Sequence, residues 1–416
     1  MELKRVVVTG IGALTPLGNT APEFWNSLKA GKSGAAPITH FDASKFKTQF
    51  ACEVKGFDPL DFIDRKDARK MDPFAQYAMV VCTEAVADAG LEESGVNKDR
   101  VGVVLGSGIG GLLTFQQQVL EFGKGDGTPR FNPFFIPKMI SDIAPGHVSM
   151  KFGYRGPNYT TVSACASATN ALIDSFNLIR LGKADVIVSG GSEACVHEAG
   201  VGGFNALHAL SQRNDSPSTA SRPFDKERDG FVLGEGAASL ILEEYEHAKA
   251  RGAKIYGEIV GGGLSADAHH LTAPHPEGLG AMNVMRNALK DADMTPLDID
   301  YINVHGTSTP LGDIAEAKAI LQVFGEHSYD LSISSTKSMT GHLLGAAGAI
   351  EALATLMAVK EDIIPPTINF KTADEDIDQR LDLTFNKAKE RPVRAALSNT
   401  FGFGGHNASV IFKKAE

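Results

Sequence analysis

The sequence has few cysteines and lacks any long apolar run. Only four of the 416 residues are Cys, and no two of them form a Cys-x-x-Cys pair, which argues against a disulfide scaffold or a zinc ribbon. The N-terminal segment reaches Gly10 after three valines, too short for a secretory signal, and no run of about 18 apolar residues follows. We therefore predict a cytoplasmic protein in a reducing compartment, without membrane insertion.

An excess of positive charge is also absent. Forty Lys and Arg stand against fifty Asp and Glu, a formal net charge of −10, so we expect no coating of nucleic acid or of an anionic membrane. An acidic partner would have to meet a local basic patch. Glycine, in contrast, is abundant at 44 residues, which predicts many tight turns and close backbone contacts.

Short runs of β-branched residues alternate with helical patterns along the whole chain. Apolar strands separated by helices are typical of an α/β protein whose sheets are covered on both faces. A charged, helix-like stretch, Glu243–Lys254, lies past the midpoint, and we predict a division there into halves 1–252 and 253–416. The predicted strands are Val6–Thr9, Val101–Leu105, Val186–Ser189, Ser239–Leu242, Ile255–Gly261, Tyr301–His305 and Ser332–Ser334.

The two predicted halves share a weak internal repeat. In each, a strand runs into a turn of small residues and then into a helix with one apolar stripe, at residues 159–179 and 332–357. Two such units packed face to face would bring both turns to one place. The stripes are Leu172, Phe176 and Ile179 in the first half, and Ile350, Leu353 and Met357 in the second.

Cys165 is the first candidate for chemistry. It lies in Ser163-Ala-Cys-Ala-Ser167 at a predicted strand-to-helix junction, where the free N–H groups and the positive end of a helix dipole favour thiolate over thiol. The alternative is a buried structural cysteine, since free Cys often behaves as a small hydrophobe. Cys52, Cys82 and Cys195 lack such a setting, and we predict that they are structural.

Two histidines and a lysine complete a set suited to thioester chemistry. His305 follows an apolar strand, and His342 lies in a glycine-containing turn shortly after Lys337, positions where α/β proteins carry reactive groups. Each histidine taken alone is as well explained as a turn or core residue. Together with Cys165 the three residues provide a nucleophile, neutral imidazole donors for a developing oxyanion, and a cation that orients them.

Two other functions have some support in the residues. Gly106–Gly111 follows a strand and matches the GxGxxG pattern of dinucleotide-binding dehydrogenases, but no ribose-binding carboxylate stands about 20 residues further on. Ala268–His275 contains three histidines that suggest zinc, yet their spacing is not HxxxH and no carboxylate shares a helix with them. We therefore expect neither a dinucleotide nor a metal.

Six sequence blocks, in family order, carry a resemblance. The chain resembles, nearly end to end, the β-ketoacyl-acyl carrier protein synthases of the elongating type, in the thiolase-like superfamily. Its pattern is most similar to synthase II, the long-chain elongating form, because the initiating Cys-His-Asn enzymes would have Asn in place of His342. The blocks are Val7–Gly18, Thr161–Ser167, Ser221–Gly236, His305–Pro310, Lys337–Gly348 and Ser398–Gly405.

The resemblance implies an α/β fold with duplicated thiolase-like halves that form a layered α-β-α-β-α core. The first half would carry the nucleophilic cysteine and the insertions for the dimer and the acyl pocket, and the second half both histidines. The implied reaction is a decarboxylative Claisen condensation of an acyl chain on Cys165 with malonyl-acyl carrier protein, which adds two carbons and releases CO2. No cofactor is implied, since the phosphopantetheine arm belongs to the acyl carrier protein.

The resemblance also implies catalytic roles. Cys165 would accept the acyl chain, while the backbone N–H groups of Cys165 and Phe401 hold the oxyanion. His305 and His342, as neutral donors, would stabilise the enolate formed as CO2 leaves. Lys337 would hold the turn that carries His342. Its balancing carboxylate would be Asp313, Glu316 or Glu351.

Substrate and partner residues follow from the same resemblance. The phosphopantetheine arm would bind Thr272, Thr307 and Thr309, although Thr307 and Thr309 would also suit a capped turn before Asp313. The docking site for the acidic carrier protein would be Lys66, Arg69 and Lys70, extended by Arg213 and Lys124; a solvated charged face is the alternative. The acyl tunnel, supplied in part across a homodimer interface, would be lined by Ile109, Phe134, Phe135, Ile136 and Phe204 and gated by Phe401 and Phe403; plain core packing is the alternative there.

Two residues depart from the family pattern. His406 stands where Thr or Ser is usual, and Ser163 replaces the commoner Thr. Chain-length factors, non-catalytic members of the same superfamily, lack the nucleophilic cysteine. Because Cys165 and both histidines are present, we predict an active synthase.

Overall fold

The structure, a computed structural model, describes residues 3–415, and fourteen strands and thirteen α-helices lie within them. The strands are β1 (Val6–Leu14), β2 (Ala36–Pro37), β3 (Phe50–Ala51), β4 (Val101–Gly106), β5 (Asn158–Thr161), β6 (Val186–Glu193), β7 (Gly236–Glu244), β8 (Gly257–Ala266), β9 (Tyr301–Asn303), β10 (Ser332–Ser334), β11 (Ile363–Ile364), β12 (Lys389–Glu390), β13 (Ala395–Gly402) and β14 (His406–Lys413). The helices are α1 (Ala21–Lys29), α2 (Arg65–Ala68), α3 (Pro73–Asp88), α4 (Leu112–Lys124), α5 (Phe135–Met139), α6 (Ile143–Phe152), α7 (Ser167–Arg180), α8 (Glu198–Ala206), α9 (Tyr245–Ala250), α10 (Leu279–Asp291), α11 (Pro310–Phe324), α12 (Lys337–Thr340) and α13 (Ala347–Glu361).

Ten strands form one mixed sheet whose two halves repeat the same topology. Read outward from the centre, the order is β1-β7-β6-β4-β5 in the first half and β8-β14-β13-β9-β10 in the second. In each half the two pairings nearest the centre are antiparallel and the two outer pairings are parallel. β1 and β8 join the halves through residues 6–8 alone. The predicted division at residue 252 falls between α9 and β8, where one strand set gives way to the other.

Two helices, α7 and α13, lie between the halves of the sheet and share one apolar core with both. The outer face of the first half packs on α3 and α6, and that of the second on α10 and α11. This is the predicted α-β-α-β-α layering. α13 is buried on all sides over Ala347–Val359, as expected of an Ala-rich helix at the centre of a large protein. All six residues of the two predicted stripes belong to this central core.

The seven strands predicted from apolar runs are all present, and all of them except Ser332–Ser334 differ at one or both ends. Tyr301–His305 ends as a strand at Asn303, because the N–H groups of His305 and Gly306 turn to the carboxylate of Glu316. The charged stretch Glu243–Lys254 begins as the end of β7 and becomes helical only at Tyr245. β5 is the strand predicted at the start of the first repeat. Two long strands, β13 and β14, and the four two-residue strands were not predicted; β13 and β14 interleave polar residues with apolar ones. No helix among residues 3–415 has the length and apolar character needed to cross a membrane.

Candidate active site

Cys165 lies in a tight turn between β5 and α7. Ala164 has a φ of +51°, and the Ser167 hydroxyl closes the turn, accepting the N–H of Ser163 at 2.9 Å and donating to the Ala164 carbonyl at 2.7 Å. The backbone of β13 passes close to this turn: a Cβ at Gly402 would lie 2.8 Å from the Ser163 carbonyl oxygen and 3.1 Å from the Cys165 nitrogen. A glycine is therefore required at 402 for the two halves to meet here.

One predicted histidine contacts the sulfur, and the other packs against the first. Nε2 of His342 lies 3.1 Å from Sγ of Cys165, a hydrogen-bond distance for sulfur. The ring of His305 stands edge-on to that of His342, with centroids 5.3 Å apart. Phe231 packs edge-on against the other side of His342 at 5.2 Å. The second half of the chain thus brings two oriented imidazoles to a nucleophile carried by the first half.

Burial sets the charge state of these groups. It raises the pKa of the Cys165 thiol to about 12, which Lys337 and the N–H of Phe403 offset only in part. The raised pKa runs against the expected preference for thiolate, because burial disfavours the charged form more than Lys337 and the Phe403 N–H favour it. Burial, with Lys337 nearby, lowers the pKa of both His305 and His342 well below the usual range. Both imidazoles are neutral near pH 7, the state a hydrogen-bond donor to an oxyanion requires.

The fold assigns separate partners to the three candidate carboxylates. Glu351 of α13 is the one that hydrogen-bonds Nζ of Lys337, and both side chains are buried. Glu316 accepts the N–H groups of His305 and Gly306 at 2.9 and 2.8 Å and so fixes the His305 turn. Asp313 lies 3.5 Å from the guanidinium of Arg228. Lys337 is thus balanced by Glu351.

The lowered histidine pKa values predict an acid-sensitive fold. Below about pH 6.5 a histidine in the unfolded chain takes up a proton, whereas buried His342 does not. The free energy of unfolding therefore decreases as the pH is lowered, by up to about 1.4 kcal/mol per pH unit for each such group. The free energy of unfolding, measured with urea at several pH values between about 5 and 6, should therefore change less steeply with pH in His342→Asn than in wild type, by about this amount. The exposed His406→Asn is the matched control. Equal slopes in wild type and His342→Asn would contradict the burial argument.

A cavity of about 600 Å³ opens beside the sulfur. Thr307 and Thr309 both face it, with their hydroxyls 3.1 Å apart, and Thr309 makes no side-chain cap to α11, so the capping alternative fails for Thr309. Among the predicted site residues its lining contains Cys165, His305, His342, Phe401, Ile109, Phe204, Thr272, Thr307, Thr309 and Phe403.

Three predicted acyl-tunnel residues lie outside this cavity. Phe134 and Ile136 are 43% and 55% exposed, and Phe135 stacks on Phe131 with centroids 5.4 Å apart. They belong to an apolar surface over α4 and α5, so within one chain they do not line the cavity beside Cys165. The other large exposed apolar residues of this surface are Phe115, Val119, Leu120, Phe122, Phe131 and Ile140.

The backbone N–H that hydrogen-bonds the sulfur is that of Phe403. Phe401, whose N–H is expected to help hold the oxyanion, lies in β13, opposite Asn407, and its ring packs beside His305 at a centroid distance of 5.5 Å. Phe403 lies two residues further on, in the turn between β13 and β14, with its ring 6.5 Å from that of Phe204. Phe403 thus offers a second candidate for the oxyanion donor, next to the reacting sulfur.

The predicted basic patch is only partly free. Lys66 and Arg69 are exposed at α2 and its end, while Lys70 forms an ion pair with Asp67 at 2.9 Å. Arg213 lies 3.7 Å from both Glu227 and Asp229, so its charge is largely balanced within the chain. Lys124 lies in the last turn of α4.

The other sequence candidates have structural surroundings. Cys52, Cys82 and Cys195 are buried outside the cavity lining, with their thiol pKa values raised by burial. Among residues 3–415 no group of three His, Cys, Asp or Glu side chains is placed to hold a metal ion. His406 is exposed. The N–H groups of Gly108, Ile109 and Gly110, which a pyrophosphate would need, bind the carboxylate of Glu193, a residue that sequence reasoning missed.

Two family models match the chain in succession. Residues 3–248 match the Beta-ketoacyl synthase, N-terminal domain, and residues 256–371 match the Beta-ketoacyl synthase, C-terminal domain. Among curated relatives, a 3-oxoacyl-[acyl-carrier-protein] synthase 2 of Synechocystis sp. is 50% identical over 415 residues, covering 100% of this chain and 99% of the relative. A protein with the same description from Coxiella burnetii is 48% identical over 414 residues, with the same coverage.

Solved structures agree over the full length. A Beta-ketoacyl synthase from Burkholderia phymatum has a TM-score of 0.92 and 37% identity, covering 99% of this chain and 100% of its own. A ketosynthase of a type II PKS, solved in complex with its acyl-carrier protein, has a TM-score of 0.92 and 34% identity, covering 100% of both chains.

Proposed function

The chain belongs to the beta-ketoacyl synthase family, and we propose that it elongates fatty acyl chains by condensing a Cys165-bound acyl group with malonyl-acyl carrier protein. The observation that carries the proposal is the meeting of Sγ with two neutral imidazoles at the wall of one cavity. An assay with an acyl-carrier of long chain and malonyl-carrier tests it: one 3-oxoacyl-carrier and one CO2 are expected per cycle. Acyl transfer without a new carbon–carbon bond would contradict it.

The first half-reaction is a transthiolation. Sγ of Cys165 attacks the acyl carbonyl while its proton passes to Nε2 of His342, which lies 3.1 Å away. The carbonyl oxygen gains negative charge and is held by the N–H groups of Cys165 and of Phe401 or Phe403. His342 then returns the proton to the sulfur of the leaving phosphopantetheine arm. This general-base route explains how a thiol with a raised pKa can react at neutral pH.

The second half-reaction uses the same imidazoles as donors. For this step neutral His342 carries its one hydrogen on Nε2 and none on Nδ1, the opposite tautomer from the one that accepted the thiol proton, so Nε2 can donate toward the cavity beside His305. The C–C bond to the malonyl carboxylate breaks, CO2 leaves, and the electron pair forms an enolate whose oxygen accepts both N–H groups. The enolate carbon attacks the acyl carbonyl on Cys165, and the Cys165 sulfur leaves as 3-oxoacyl-carrier is released. Lys337 and Glu351 keep the His342 turn in place, since they form a buried pair beneath it.

The alternatives fit less well. A chain-length-factor-like role needs no nucleophile, whereas here the thiol, both imidazoles and the cavity are assembled. A dinucleotide-dependent dehydrogenase would use the Gly106–Gly111 loop, whose N–H groups are already bound by Glu193. Condensation therefore accounts for more of the site than either alternative.

The proposed partner is an acyl carrier protein, which docks on Lys66 and Arg69. Reversing the charge of both residues to Glu should raise KM for acyl-carrier about tenfold or more with little change in kcat, because exposed charges steer and hold an acidic partner without touching the reacting atoms. The effect should shrink as salt is raised. Lys387→Glu, at another exposed lysine, is the control. An unchanged KM at low salt would place the docking site elsewhere.

The second proposed partner is another copy of this chain. The apolar surface over α4 and α5 is large for a protein that exists alone. β5 is one of the two edge strands of the sheet; Tyr159 within it is 36% exposed, and Val162 directly after it is 62% exposed. A homodimer through this region would cover both features and bring Phe134, Phe135 and Ile136 against the partner's acyl site.

A further inference from the structure

The Gly106–Gly111 loop holds an anion that belongs to this chain. Glu193 is the last residue of β6 and has no solvent exposure. One carboxylate oxygen, Oε2, accepts the N–H of Gly108 at 2.7 Å. The other, Oε1, accepts the N–H groups of Ile109 and Gly110 at 3.2 and 3.1 Å. The glycine-rich turn therefore serves as a cradle for a side-chain carboxylate in place of a phosphate.

The same carboxylate reaches into the second half of the chain. Oε2 accepts the N–H of Gly345, in the turn between His342 and α13, at 3.0 Å. The hydroxyl of Ser107 donates to Oε1 at 3.2 Å. These five partners are all donors, so they stabilise the ionised form, although burial raises the pKa of Glu193. One buried charge thus ties the loop to the turn that carries His342.

The backbones held by Glu193 are packed without room for side chains. A Cβ on Gly345 would lie 2.1 Å from the nitrogen of Gly108 and 2.6 Å from Oε2 of Glu193. A Cβ on Gly108 would lie 3.2 Å from the carbonyl oxygen of Ala164, the residue before Cys165. Two segments that line the cavity, the loop with Ile109 and the turn after His342, therefore meet at one carboxylate, and the nucleophile turn packs against the first of them at Gly108.

We propose that Glu193 is a positioning residue that fixes the cavity wall at Ile109 relative to Cys165 and so sets which acyl-chain lengths the site accepts. The proposal rests on the proposed function. Ile109 lines the cavity and is 38% exposed, and its backbone N–H is one of those that Glu193 holds. Without that bond the side chain of Ile109 would shift in the cavity. Such a shift would change which chain lengths bind, because an apolar wall discriminates between substrates through each methylene group that it contacts.

The test is Glu193→Gln. The Gln side chain replaces one carboxylate oxygen with an NH2 group, which cannot accept a hydrogen bond from a backbone N–H. The variant therefore loses either the bonds from Gly108 and Gly345 to Oε2 or the bonds from Ile109 and Gly110 to Oε1. With acyl-carriers of about 8 to 16 carbons, the ratio of kcat/KM for the longest over the shortest chain should change about tenfold or more. Decarboxylation of malonyl-carrier, which needs no acyl chain, should fall less than about threefold.

Two further variants control for folding. Glu243→Gln removes a buried carboxylate that binds Arg251 and Thr9 at the far end of β7. At the usual rise per strand residue, this position is roughly 23 Å along the sheet from Glu193. The variant should leave the chain-length ratio unchanged. Ser107→Ala removes one donor to Glu193 and should shift the ratio in the same direction by about two- to threefold.

A folded Glu193→Gln variant with the wild-type ratio would overturn the proposal. If that variant does not fold, Ser107→Ala decides, and an unchanged ratio in it would overturn the proposal equally. A wild-type protein that forms no 3-oxoacyl product would instead count against the proposed function.

Discussion

Replacing Cys165 with Ala is expected to remove condensation by at least about 10³-fold while malonyl-carrier is still decarboxylated, because the variant lacks the nucleophile but keeps both imidazoles. The proposed mechanism separates the two activities: Sγ forms the acyl intermediate, whereas His305 and His342 stabilise the enolate. Release of CO2 from malonyl-carrier and formation of 3-oxoacyl-carrier, measured in parallel, resolve them.

The matched control for this change is Cys82→Ala. Cys82 is buried in α3, and burial raises the pKa of its thiol to about 12, as for Cys165, but it lies outside the cavity lining. Its activity should stay close to that of wild type. Condensation that survives in Cys165→Ala would rule out a covalent acyl intermediate at this sulfur.

Changing His342 to Asn is expected to slow condensation about 10²- to 10³-fold. The shorter amide cannot take the proton from Sγ and no longer reaches the position of Nε2, so both a general base and an oxyanion donor are lost. Decarboxylation of malonyl-carrier should fall as well, by about 10²-fold, the usual loss for one donor. Steady-state rates with His406→Asn as the exposed control measure both effects.

Unaffected decarboxylation in His342→Asn would contradict the enolate role of this imidazole. Unaffected acylation of Cys165 in the same variant would contradict its role as the base. Decarboxylation and acylation, measured separately, thus test the two proposed roles of His342 independently.

The catalytic residues and the layering could be predicted from sequence because both depend on local blocks. Cys165, His305, His342 and Lys337 each lie in a short motif of small residues at the end of a strand or in a turn. The stripes of α7 and α13 predict helices buried between two sheets, and the structure places them there. The matching strand order of the two halves gives the faint repeat a structural basis.

The errors and omissions depend on contacts distant in sequence. The choice between Phe401 and Phe403 follows from the register of β13 on β14, which two successive Phe-Gly steps do not specify. The protonated state of Cys165 follows from burial by both halves of the chain. Glu193 meets its loop across 85 positions in sequence and gave no local signal.

Phe134, Phe135 and Ile136 show a different limit. Their apolar character predicts burial, but a single chain leaves Phe134 and Ile136 exposed. The proposed homodimer would bury them.

Peptide mass spectrometry after incubation with an acyl-carrier alone tests the central claim most directly. The account predicts one acyl group per chain, bound as a thioester on the peptide that contains Cys165, and its loss when malonyl-carrier is added. A chain that remains unmodified, or that carries the acyl group on Cys52, Cys82 or Cys195, would contradict it.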